Sequence, residues 1–254
     1  MEATIKAKLK EIEQQHGVTV LYACETGSRA LGFPSPDSDY DVRIVYKHEV
    51  DWYLSLSEKK DVIEFMSADG ELDVTGWDIK KCLKLMWKSN GALLERVQSP
   101  IVYHDGRDIA ASLKDHAFRC YSPIATMHHY LGMAKNSFAD VADVEQVKLK
   151  KLFYALRATL ACKWITDEDT PPPIVFTEMV NRLKFDERLK ERIRQLIALK
   201  SGKSESYMHP AESGLNELIA AEIKSAEKAF DMLPGRKERD VPLDNLFRQI
   251  VKMS

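Results

Sequence analysis

The chain has 254 residues, of which 44% are hydrophobic and 30% charged, with a formal net charge of −2. That length holds one large domain or two modest ones, and the composition is globular and not disordered. The near-neutral balance excludes a chain-wide pull on nucleic acid, so such a partner would need a local basic patch.

Cys24, Cys82, Cys120 and Cys162 form no Cys-x-x-Cys pair and have mostly apolar neighbours. Buried reduced thiols are expected, with no zinc site. No apolar run approaches the roughly 20 residues of a membrane span. Residues 1–15 alternate charge and apolar side chains like a helix and unlike a signal peptide, so a cytoplasmic protein is expected.

Ile5, Leu9 and Ile12 recur at helical spacing and open the chain with an amphipathic helix. Val18 to Ala23 reads as a buried strand, and Glu25 to Gly32 as a turn into a short helix. Pro34, Pro36, Asp37 and Ser38 make a second turn. Asp39 to Tyr46 alternates with period two, so Asp39, Asp41 and Arg43 face away from Tyr40, Val42 and Ile44. Asp61 to Met66 and Glu71 to Thr75 read as strands of a hairpin turning at Ala68-Asp69-Gly70. Asp78 caps a helix carrying Ile79, Cys82, Leu83, Met86 and Trp87, which Asn90-Gly91 ends. Pro100 to Tyr103 is a short strand. Helices are then expected over 107–118, 123–138, 144–165, 176–183, 187–199 and 215–233, with breaks at Pro171-Pro172-Pro173, at 201–210 and at Pro234-Gly235. The fold class is α/β (α+β): a domain with a small mixed sheet over 1–105, then an all-helical domain over 106–254.

The chemistry concentrates in Gly27-Ser28-Arg29-Ala30-Leu31-Gly32 and Ser38-Asp39-Tyr40-Asp41-Val42. Carboxylates at i and i+2 of a strand leave one face about 7 Å apart at the backbone. They repel when unpaired and so favour bound cations. Phosphoryl transfer commonly uses two metal ions about 4 Å apart, and magnesium prefers hard oxygen ligands. Gly27-Ser28, at a strand-to-helix turn, suits a phosphate: glycine allows close backbone approach, and the helix start and the hydroxyl donate hydrogen bonds. A lone Asp-x-Asp is usually a solvated turn, but the ordered run of strand, Gly-Ser, short helix, turn and Asp-x-Asp is far more specific.

This run resembles the signature of the DNA polymerase beta superfamily of nucleotidyltransferases. The fuller stretches Gly27 to Phe33 and Ser35 to Arg43 are similar to a bacterial and phage group described as RNA-repair-pathway nucleotidyltransferases. Leu72 to Asp78, Ser99 to Tyr103 and Tyr154 to Arg157 fit that group as well, so the likeness covers roughly residues 20–165. The resemblance implies nucleotidyl transfer from an NTP, such as ATP, to a hydroxyl. The implied metals are two magnesium ions, with manganese as an alternative, and the implied acceptor is an RNA end such as a damaged tRNA.

The resemblance also implies a third carboxylate on a neighbouring strand. Asp73, mid-strand between Leu72 and Val74, is the expected one, ahead of the cap Asp78 and the turn-proximal Glu71. The expected metal and catalytic set is therefore Asp39, Asp41 and Asp73. The expected nucleotide-binding set is Gly27, Ser28, Arg29, Lys150, Tyr154 and Arg157. The last three fall at i, i+4 and i+7 of one helix, apart from the apolar set Leu149, Phe153 and Leu156. Lys150 and Arg157 are expected to face the Ser28 and Asp39 motif.

His128-His129 diverge by about 100° on a helix and are read as structural. Residues 182–203 hold eight Lys or Arg against three acidic residues, a candidate RNA-contacting surface, though such charge runs on helices are usually solvated faces. Two competing functions stay open: AMP transfer to a protein or small molecule, and a non-catalytic, antitoxin-like binding module.

Overall fold

The computed structural model describes residues 1–235, 238 and 240–253. In chain order its elements are α1 (Glu2–His16), β1 (Thr19–Glu25), α2 (Gly27–Leu31), β2 (Tyr40–Lys47), α3 (Val50–Tyr53), β3 (Val62–Met66), β4 (Leu72–Asp78), α4 (Ile79–Trp87), α5 (Gly91–Arg96) and β5 (Val102–Asp105). They continue with α6 (Ile109–Arg119), α7 (Pro123–Ala139), β6 (Gln146–Lys148), α8 (Leu149–Asp167), α9 (Phe176–Arg182), α10 (Glu187–Ser201), β7 (Met208–Pro210), α11 (Ser213–Ala229) and α12 (Leu243–Lys252).

Two compact units emerge, and neither is contiguous in sequence. The first takes Met1–Gly27, Asp39–Cys120 and Glu238–Ser254, and the second Ser28–Ser38 and Tyr121–Lys237. The division therefore differs from a single boundary at residue 105. α6 stays with the first unit because it packs on β1, α4 and α5, with Leu113 fully buried. α12 returns to that unit, packing on α4 through an apolar stripe that includes Leu246, Ile250 and Val251.

In the first unit the described residues form a five-stranded sheet in the order β3-β4-β2-β1-β5. β2 and β4 run parallel and the other neighbours antiparallel. Ile5, Leu9 and Ile12 of α1 join Val42, Ile44, Leu72 and Val74 in one core. By the period of a strand, Asp41, Arg43, Asp73 and Thr75 then lie on the other face. The strand expected from Asp39 starts one residue later, at Tyr40. Asn90 does not end α4: its side chain accepts from Leu93 N at 3.0 Å and caps α5.

The second unit is built around α8, whose contacts with α7 and α11 bury it on most sides. The segment 28–38 enters this core through Phe33, stacked on Phe153 at 5.0 Å and edge-on to Phe176 at 5.7 Å. A single helix over 144–165 is not what forms. Residues 146–148 are extended and pair with Met208–Pro210, a stretch read as loop from sequence. The four cysteines are buried and free, and burial pushes the Cys24, Cys82 and Cys162 thiols up to about 12. No helix among the described residues is long and apolar enough to cross a membrane.

Candidate active site

In the sheet unit the end of β1 and the turn that follows grip Asp41. Thr26 donates to Asp41 O from its backbone N at 2.8 Å and from its hydroxyl at 3.1 Å. Asp41 N donates to Glu25 Oε1 at 2.7 Å, and the other oxygen of this fully buried glutamate accepts the Tyr103 hydroxyl at 2.5 Å. Gly27 has φ +55°, and a Cβ there would lie 2.0 Å from Asp41 Oδ2. Glycine is thus required twice, for the left-handed backbone and for the space the carboxylate fills.

The parallel register sets Asp73 directly beside Asp41. Arg43, two residues along β2, reaches both carboxylates, at 3.1 Å to Asp41 and 2.8 Å to Asp73. Its other nitrogen donates to Asp73 O at 3.3 Å. The guanidinium supplies the positive charge that two adjacent, partly buried carboxylates demand. Asp39 precedes the strand and is exposed. Among the described residues no three His, Cys, Asp or Glu side chains are grouped to hold a metal ion. Two hard-oxygen donors held side by side nevertheless fit magnesium in chemistry, and the third expected donor sits one residue outside the strand.

Asp78 lies about 17 Å along β4 from Asp73. It caps α4 by accepting from Lys80 N at 2.7 Å and also accepts the Tyr53 hydroxyl at 2.7 Å. Burial raises its pKa despite those two bonds. Its place is structural, as a cap should be.

The helical unit holds the other half of the motif. Ser28 is buried, and its hydroxyl donates to Ser38 Oγ at 2.9 Å. Ser38 Oγ also accepts from Ser35 N at 2.9 Å and donates to Glu205 Oε1 at 2.8 Å. The second oxygen of Glu205 takes Lys150 Nζ at 2.5 Å. Arg29 donates to Ser38 O at 2.6 Å, bracing the same turn. Lys200, buried with its pKa lowered by desolvation, donates to Ser35 Oγ at 2.8 Å.

Beside this chain lies a cavity of about 650 Å³ lined by Lys148, Lys150, Lys151, Tyr154, Glu205 and Asp37, among others. Of the helix residues expected at a nucleotide, Lys150 and Tyr154 meet here and Arg157 does not. Arg157 is 2% exposed and lies 5.8 Å over the Tyr130 ring. Seven residues of helix carry a side chain about 10 Å along the axis, so one angular face spans both pocket and core. In the basic stretch 182–203, Arg182, Lys190, Arg192 and Arg194 pair with Glu168, Glu187, Glu212 and Glu191. His128 and His129 contact Phe230 and Tyr130.

Sequence reasoning missed Glu25 in the sheet unit and Glu205 in the helical unit; it had Ser38 within the motif and Arg43 on the carboxylate face, without their partners. Glu25 carried a signal, a lone acid ending an apolar strand. Glu205 carried none, because its partners are remote in sequence.

Known proteins bear on this arrangement. A family model described as the RNA repair pathway DNA polymerase beta family matches residues 1–249, well beyond the stretch 20–165. The uncharacterized protein YcgL of Bacillus subtilis is 39% identical over 238 residues, covering 94% of this chain and 91% of that protein. Among solved structures, a nucleotidyltransferase-like protein from Exiguobacterium sibiricum aligns over 90% of this chain and 75% of its own. Its identity is 11% and its TM-score 0.32, a likeness too distant to argue from. With a family match over nearly its full length, the chain belongs to the RNA repair pathway DNA polymerase beta family.

Proposed function

We propose that the protein is a metal-dependent nucleotidyltransferase that moves a nucleoside monophosphate from an NTP to a hydroxyl on an RNA end. One observation carries this: Asp41 and Asp73 sit in register on neighbouring parallel strands and share a single guanidinium. Stability alone gives little reason for two like charges so close, each partly shielded from water. A site that must receive cations gives a direct one.

Asp39, Asp41 and Asp73 would hold magnesium. When bound, the metal supplies Lewis acidity at the phosphoryl oxygens and neutralises charge on the departing pyrophosphate. The protein's own groups do the rest. Arg43 orients the two carboxylates and balances their charge. Gly27 leaves room for Asp41, and Ser28, whose hydroxyl donates to Ser38 Oγ, would support a phosphate site from behind. Lys150 and Tyr154 line the pocket of the helical unit and suit a triphosphate and a base. Asp73 accepts, or lies next to the group that accepts, the proton of the attacking hydroxyl. Preorganised charge of this kind is the main source of rate in phosphoryl transfer. The family's name supplies the acceptor class, and the pairing of four of the eight cations in 182–203 favours contact with a short RNA end over a long tract.

The test is to incubate the protein with each labelled NTP, magnesium, and total RNA or lysate, and to locate the label. Label in RNA is expected. Label in protein or in a small molecule instead would refute the acceptor. Asp73→Asn should abolish transfer while NTP affinity stays within about tenfold, or ~1.4 kcal/mol. Asp41→Ala should lose magnesium-dependent NTP binding, read by titration calorimetry. A fully active Asp73→Asn enzyme would remove Asp73 from the chemistry.

A further inference from the structure

The hydrogen bonds around Ser38 leave its own hydrogen few destinations. Its oxygen already accepts from the Ser28 hydroxyl and from Ser35 N, each at 2.9 Å. Its proton goes to Glu205 Oε1 at 2.8 Å, while Glu205 Oε2 takes the Lys150 ammonium at 2.5 Å. The two oxygens of one carboxylate are thus shared between a hydroxyl and an ammonium, the donor types that receive a phosphate. Two further cations, Lys148 and Lys151, the latter paired with Asp140 at 3.0 Å, line the cavity that Glu205 borders.

Glu205 itself stands on a short turn between α10 and β7, with its backbone N held by the Asp37 carboxylate at 2.9 Å. Its side chain is 20% exposed and that of Lys150 38%. A rotamer change therefore suffices to withdraw the carboxylate while the turn stays anchored.

Resting on the nucleotidyl-transfer proposal above, we propose that Glu205 occupies a phosphate site of the helical unit, built by Ser38 and Lys150 with Ser28 behind, and that the polyphosphate of the incoming NTP displaces it. The carboxylate satisfies the donors while no nucleotide is present. A phosphate group brings more charge and more acceptor oxygens to the same donors and to Lys148 and Lys151. Affinity is reduced by the fraction of time the internal acid holds the site, so every anion that uses these donors binds more weakly by one common factor.

The experiment measures binding of ATP and of inorganic tripolyphosphate to the full chain by titration calorimetry, in wild type, Glu205→Gln and Glu205→Ala. Glutamine keeps an acceptor for Ser38 and removes the charge that competes for Lys150. At least fivefold tighter binding of both ligands is expected in both variants, and the gain should vanish when Lys150→Ala is added. A gain for both ligands places the site on phosphate. A gain for ATP alone would place it on base or ribose and overturn the assignment. Unchanged or weaker binding of both ligands would overturn it, as would a gain that survives Lys150→Ala. Two variants guard against a local folding defect, which thermal unfolding reports.

Label transfer by the wild type separates the two proposals. Transfer without any gain in the Glu205 variants sinks the phosphate site alone. A gain for both ligands in a protein that transfers no label sinks the enzymatic proposal alone.

Discussion

A methyl group on residue 27 would land 2.0 Å from Asp41 Oδ2, on a backbone at φ +55°. Gly27→Ala therefore combines about 1–2 kcal/mol of left-handed strain with a forced shift of the Asp41 carboxylate. The strain lowers the melting temperature by several degrees. The shift costs far more, because a displacement of about 1 Å at a reacting centre is worth roughly 100-fold in rate. We expect nucleotidyl transfer by Gly27→Ala to fall at least ~100-fold while thermal unfolding stays cooperative; near-normal transfer would show that the carboxylate tolerates movement. Strand period puts Asp41 and Asp73 on the faces away from the apolar residues, and the family resemblance singles out Asp73 over Glu71. That they share Arg43 was not legible in the sequence, since the bridge depends on which residues of β2 and β4 stand abreast, a property of pairing and not of either strand. Glu205 and Ser38 lie 167 residues apart, beyond the reach of any local spacing rule.

Among the elements, the segment carrying Ser28 and Ser38 is short, and Phe33 is its largest anchor in a core that also takes Ala30 and Leu31. Phe33 is 1% exposed and touches the rings of Phe153, Tyr154 and Phe176. Replacing it by alanine should cost about 3–5 kcal/mol, seen as a lower urea midpoint at unchanged slope. Tripolyphosphate binding should weaken with it, as the serine turn loses its support. A cost below about 1 kcal/mol would mean that the turn is held by its hydrogen bonds instead. Long periodic elements such as α1, α4 and α7 were legible because their apolar faces repeat over several turns. The three-residue strands β6 and β7 were not, being too short and polar to show a period. α12 is a different case: Leu243, Leu246, Ile250 and Val251 mark one helical face, a signal present in the sequence but passed over. The burial of every α8 residue from Ala155 to Cys162 explains Arg157, since the helix keeps a solvated side only towards its ends.

At the scale of the whole molecule, the chain leaves each unit and returns to it. The sheet unit needs Asp39–Cys120 together with a C-terminal stretch, where Lys47 Nζ donates to Met253 O at 2.5 Å and Phe247 meets Tyr53 edge-on at 5.2 Å. A fragment ending at residue 120 lacks α12 and should unfold without a sharp transition, or at a clearly lower urea midpoint than the full chain, by circular dichroism. Supplying residues 238–254 as a peptide should restore cooperativity; a fragment that is already as stable as the full chain would show α12 to be an ornament. The same arrangement sets a schedule on the ribosome. At roughly 5–20 residues per second, the 118 positions separating Cys120 from Glu238 take about 6–24 s to translate. For that interval the nascent sheet, its carboxylates already in sequence order, waits with Leu83 and Trp87 of α4 uncovered by the helix that later borders them. We expect the half-made protein to engage holding chaperones and its yield in a cell to respond to translation speed between those two points, measured by slowing codons in that stretch.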